Sequence, residues 1–304
     1  MSSRGFACSR RIAGVPSALV LTCVMALGAA APPSPAGAAT IGTVYGGATA
    51  QDDPVALIVS SDHRLVRAVL VHVDLRCADG KGAVWSGPIL VRQGRPRPPR
   101  AGDNVLFAGA ISRTGRVRLR GLGTTDYGSA LGAVQETIGA RFRGAVASGT
   151  LSMTIRLTDK ATAAPVTTCR SGAVRWRAAS APGRVFAGLT GQGRPLVLRM
   201  NRSATRVADL RVSWIADCSG GGATDLGDDL TNFPLDPGGR FGDDFTRSLD
   251  VPGGGRIALA YRIHGTAGPR RASGTFGVTE TDTDAGGATV DTCTLAPVRW
   301  SAVS

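Results

Sequence analysis

Leu65-Val66-Arg67-Ala68-Val69-Leu70-Val71-His72-Val73-Asp74-Leu75-Arg76-Cys77 alternates along most of its length. Val69, Val71, Val73, Leu75 and Cys77 fall on one side, with His72, Asp74 and Arg76 on the other. Successive side chains of an extended chain point to opposite faces, so this period of two predicts a half-buried β-strand with its apolar side on a core. A second stretch does the same, with Leu210, Val212, Trp214, Ala216 and Cys218 set against Asp209, Arg211 and Asp217. Leu151, Met153, Ile155 and Leu157 likewise alternate with Ser152, Thr154, Arg156 and Thr158. Ser112 to Gly115 and Asp236 to Gly239 supply turn chemistry between such runs. No stretch keeps an apolar helical period for three turns. The chain therefore reads as all-β: two tandem antiparallel β-sandwich-like domains, with small closed barrels as the alternative.

The two strands just quoted are related by a constant step. Adding 141 takes Tyr45 to Phe186, Gly47 to Gly188, Thr49 to Thr190, Gln51 to Gln192, Pro54 to Pro195 and Cys77 to Cys218. From Ile111 the step is 124, taking Gly115-Arg116-Val117 to Gly239-Arg240-Phe241, Cys169 to Cys293 and Val174-Arg175-Trp176 to Val298-Arg299-Trp300. Ser148-Gly149-Thr150 matches Ser273-Gly274-Thr275 with one residue of slippage. The sequence thus reads as a tandem repeat, residues 39–181 and 182–304, divided near Ser180-Ala181-Pro182-Gly183. The first copy carries about 17 extra residues within 78–110, where Arg92, Arg95, Arg97 and Arg100 are interleaved with Pro96, Pro98 and Pro99.

Residues 1–38 read as an export signal: Arg4, Arg10 and Arg11 precede a 14-residue apolar run from Ala18 to Ala31, followed by a small-x-small site at Ala36-Gly37-Ala38. That run is short of the roughly 20 residues a spanning helix needs, so a secreted or cell-surface protein without a transmembrane segment in its mature chain is expected. Cys8 and Cys23 leave with the signal, and the even number that remains favours disulfides in an oxidising compartment. Duplication selects Cys77 with Cys169 and Cys218 with Cys293 out of the three possible pairings.

The layout resembles a class of uncharacterised secreted tandem β-domain proteins of high-GC bacteria. The resemblance rests on a Gly-x-Thr-x-Gln opening (Gly47, Thr49, Gln51; Gly188, Thr190, Gln192) and a closing Cys-x6-Trp (Cys169, Trp176; Cys293, Trp300). It implies the fold and no activity.

Phosphate-loop, zincin, hydrolase-elbow and Cys-x-x-Cys signatures are missing, so no catalytic residue and no cofactor is expected. His63, His72 and His264 read as isolated solvated or structural residues, and Trp176 and Trp300 as core residues beside the cysteines. Asp225, Asp228, Asp229, Asp243 and Asp244 form an acidic cluster that is a weak calcium candidate, although no EF-hand spacing is present. An extracellular hydrolase using an aspartate pair such as Asp228 and Asp243 is the alternative functional reading, and a purely structural surface module is a third.

Charge separates the copies. Residues 39–181 carry 19 basic and 9 acidic side chains, whereas residues 182–304 carry 13 of each. Arg116, Arg118 and Arg120 alternate with Val117 and Leu119 and so share one face of a strand. With Arg141, Arg143 and the arginines of the insertion at 92, 95, 97 and 100, they make a candidate surface for an anionic cell-wall or extracellular polymer. With aromatic residues only 5% of the chain, interleaved stacking on single-stranded nucleic acid lacks support, and no sequence-specific nucleic-acid partner is expected.

Overall fold

The computed structural model describes residues 41–92, 104–107, 109–127, 129–251 and 254–304. Residues 1–38, expected from the sequence to be an export signal, and Arg95, Arg97 and Arg100 lie outside the described residues. The first half holds β1 (Ile41–Thr49), β2 (Pro54–Ser60), β3 (Val66–Cys77), β4 (Gly82–Arg92), β5 (Asn104–Phe107), β6 (Arg116–Tyr127), β7 (Ala130–Arg143), β8 (Val146–Asp159), β9 (Pro165–Arg170) and β10 (Val174–Ala179). The second holds β11 (Val185–Thr190), β12 (Pro195–Met200), β13 (Arg206–Cys218), β14 (Ala223–Leu230), β15 (Phe233–Pro234), β16 (Arg240–Asp250), β17 (Arg256–Ala267), β18 (Arg271–Thr283) and β19 (Thr289–Val303). The described chain is all-β, in two sheets.

Both sheets fold back on themselves. In the first, β10-β1-β2-β3-β4-β5-β6-β7-β8-β9 is joined into a ring by β10 pairing β8 and by β3 pairing β9. In the second, β13 meets β19 and closes β11, β12, β13 and β19 into a four-strand barrel. Each closure is stapled where the strands meet: Cys77 opposes Cys169 across β3–β9, and Cys218 opposes Cys293 across β13–β19. Both disulfides are formed.

The repeated motifs are the parts that let strands close. A Cβ on Gly47 or Gly188 would collide with the carbonyl oxygen of Arg177 or Ser301 on the neighbouring strand. One on Gly149 or Gly274 would collide with a cross-strand carbonyl and press on Trp176 or Trp300, which are buried as expected from the sequence. The Gln51 amide bonds both Asp74 backbone groups, and Gln192 does the same at Ile215, so each glutamine extends a strand ladder with its side chain.

Two expectations are modified. The pairing is not wholly antiparallel: β5 runs parallel to β4 and antiparallel to β6. A parallel neighbour needs a connection of about a dozen residues, and the insertion supplies it between residues 92 and 104. In the second sheet β14 and β16 stay as separate edges. The alternation of β3 also breaks at Leu70 and His72, which are buried although they belong to the side read as polar. A second apolar cluster covers that side, formed by Val44, Ala56 and Leu70 of the first sheet with Val185, Ala187 and Val197 of the second. Gly46 is needed there, because a Cβ would stand 2.5 Å from Val197.

Candidate functional site

The outward side of β6, β7, β8 and β10 is an arginine face. On β6, Arg116, Arg118 and Arg120 are exposed while Val117 and Leu119 are buried, as the alternation predicts. Register aligns Arg116 with Arg141, Arg141 with Ser148, and Ser148 with Arg177, all exposed. The next row outward reads Arg118, Gly139, Thr150 and Arg175. Strands lie about 4.8 Å apart and every second residue is about 6.7 Å further along, so the guanidinium stems start from a lattice of those spacings.

Arg143 lies at the end of β7, one outward position beyond Arg141. No acidic residue occupies the outward positions from Arg116 to Arg120, Gln135 to Arg143, Ser148 to Thr154 or Arg175 to Arg177. Among the described residues no ion pair involves Arg116, Arg118, Arg120, Arg141, Arg143, Arg175 or Arg177, whereas Arg194 and Arg211 in the second half hold Asp225 and Asp229 at 2.8 and 2.6 Å. Like charges directly opposite each other, as at Arg116 and Arg141, cost a few tenths to about 1 kcal/mol. Arg92 is exposed and lies two strands from Arg120, with Phe107 between them in register.

Arg175 and Arg177 were not singled out by the sequence. Their signal was present, since they flank buried Trp176 in strict alternation, but only the β8–β10 pairing brings them beside Arg141.

The aspartates of the second half do not gather. Asp225 bonds Arg194, Asp229 bonds Arg211, Asp228 accepts from Trp214 Nε1, and Asp244 lies 3.0 Å from His264 Nε2. Asp243 is exposed on β16, while β14, which carries the first three, is the opposite edge of the sheet. No set of three metal-ligating groups among the described residues includes any of the five. A surface depression of ≈ 330 Å³ beside β16 contains one carboxylate, Asp244, where glycoside hydrolysis needs two.

A buried polar group occupies the junction of the sheets. His72 is 1% exposed, and its Nδ1 lies 2.6 Å from Ser213 Oγ, the residue 141 positions further on. Ser213 Oγ also contacts Ser86 Oγ at 3.0 Å. On the other side of the ring, Nε2 stands 3.7 Å from Asp53 and 4.0 Å from Asp74, while Asp225 lies 4.0 Å from Nδ1. Burial, with Asp74, Asp52 and Asp225 nearby, pushes the Asp53 carboxyl up to about 8, and burial with Arg194 holds the His72 imidazole down at about 3. The residue types match a serine-hydrolase triad, but Ser213 is 0% exposed and no substrate carbonyl can reach it. His63 sits in a turn beside Thr43 Oγ1 at 3.2 Å, and His264 is paired with Asp244.

No family model, curated protein or solved structure matches the chain.

Proposed function

We propose that the protein is a secreted, non-enzymatic binding module built from a duplicated β-unit, and that the arginine face of its first sheet holds an anionic cell-wall or extracellular polymer. The observation that carries this reading is the pair of cross-strand rows running from Arg116 to Arg177 and from Arg118 to Arg175, free of acids. Guanidinium groups bind phosphate, sulfate and carboxylate oxygens in bidentate fashion, and a lattice of them lets one flexible polyanion make several contacts at once. Ser148, Thr150 and Ser152 add hydroxyl donors between the arginines. No aromatic side chain stands among the outward positions of those rows, so anionic groups rather than bases would be held. The two disulfides are compatible with an oxidising compartment.

The test is the salt dependence of binding to inorganic polyphosphate, read for the wild type and for Arg116→Ser, Arg141→Ser, Arg177→Ser combined. The expected result is weaker binding with a log–log salt slope reduced by about 2, since each lost phosphate contact removes roughly 0.7 from the slope. Equal affinity and slope in both proteins would refute the proposal.

A further inference from the structure

We propose that Asp53, His72 and Asp74 form a binding site for one divalent transition-metal cation of the zinc class, seated where the two sheets meet. The donors are one imidazole nitrogen and two carboxylates, and their ligating atoms all lie within 4.8 Å of one another. His72 Nε2 faces Asp53 at 3.7 Å and Asp74 at 4.0 Å, too far for hydrogen bonds. Asp53 Oδ2 is buried with no hydrogen-bond partner. A ring nitrogen and two carboxylates that converge without bonding one another are set out like ligands around a shared cation.

The other ring nitrogen supports this arrangement. When Nδ1–H donates to Ser213 Oγ at 2.6 Å, the Nε2 lone pair is left pointing at the carboxylates. Metal-ligating histidines are commonly oriented in this way, through a hydrogen bond from the nitrogen that does not ligate. With both carboxylates ionised around a bound cation, a neutral imidazole and two carboxylates supply two negative charges, matching a divalent ion. Bonds of about 2.0 to 2.1 Å in tetrahedral geometry set ligand atoms about 3.3 Å apart, so from 3.7 and 4.0 Å Asp53 has to close on Nε2 by about 0.4 Å and Asp74 by about 0.7 Å. Asp74 can make that movement: its backbone is held by Gln51 while its side chain is 60% exposed. That exposure also supplies an entry path and leaves a fourth position for water. Calcium fits less well, since it takes six to eight oxygen ligands.

The second half closes the site from behind. Ser213 orients the ring, and Gly227 leaves room for Asp53, whose Oδ1 would be 2.5 Å from a Cβ placed there. All three ligands come from the first half, and the His72–Ser213 hydrogen bond ties the site to the second.

The experiment titrates the purified, metal-stripped protein with zinc, measuring stoichiometry by equilibrium dialysis, and with cobalt, reading the visible absorption of a four-coordinate ion. The expected result is one ion per chain, a rise in melting temperature with zinc, and affinity at least about tenfold weaker in Asp74→Asn and His72→Gln, tenfold being the lower end of what loss of a supporting residue alone costs. His264→Gln should bind as the wild type does. Asp74 is exposed, so Asp74→Asn stays informative even where His72→Gln fails to fold. Absence of saturable binding, undiminished binding in Asp74→Asn, or loss of binding in His264→Gln would each overturn the proposal.

Discussion

Glu136 provides a direct test of the interior of the first sheet. It lies on the inward side of β7, opposite Gly121 and Met153, and is 1% exposed with neither carboxyl oxygen hydrogen-bonded. Burial pushes its carboxyl up from 4.5 to about 8. The folded protein therefore keeps Glu136 neutral at pH 7 while the unfolded chain ionises it. A raised folded-state value means that the stability associated with this group is full below the unfolded value and is lost as pH rises towards the folded one. At 1.36 kcal/mol per unit, the loss is under about 1 kcal/mol at pH 5, about 3 at pH 7 and about 4 at pH 8. Glu136→Gln preserves shape and cannot ionise. Its stability relative to the wild type should therefore climb by about 2 to 3 kcal/mol between pH 5 and pH 7. Urea unfolding of both proteins from pH 4 to pH 9 measures that climb. Parallel pH profiles would show that the carboxyl reaches water or a partner, and the reasoning would fail.

Gly149→Ala should cost about 3 kcal/mol, because the new methyl meets the Gly139 carbonyl and stands 2.9 Å from Trp176. Gly139→Ala, where the nearest atom is 3.6 Å away, should change stability by less than about 1 kcal/mol, so equal effects in thermal unfolding would contradict the packing account. Replacing Cys218 and Cys293 together by Ala releases a loop of 75 residues and should cost about 4 kcal/mol in denaturant, an unmoved midpoint being the adverse result. Val197→Asp places a charge in the apolar junction beside Val44 and Ala56, and should cost about 3 kcal/mol while speeding proteolysis near residues 180–184. Unchanged cleavage there would argue that the junction does not hold the halves together.

Much of this molecule is written locally. Alternation in Arg116 to Arg120 specifies which side chains face water, because a strand's period of two needs no knowledge of its neighbours. The matched cysteines specify the staples for a similar reason: if the two matched stretches fold alike, equivalent cysteines meet equivalent partners, as Cys77–Cys169 and Cys218–Cys293 do. Leu70, His72, Asp53 and Ser213 behave otherwise, since whether a strand's second side meets water or another sheet is set by packing between distant segments. The β8–β10 pairing that adds Arg175 and Arg177 to the arginine face, and the parallel β5 that joins β4 to β6, also arise from long-range strand order. Sequence by itself determined the strand class, the cysteine pairs and the outward arginines of β6. Tertiary structure decided which strands became neighbours, and that alone brings His72 to Ser213 and turns scattered arginines into one surface.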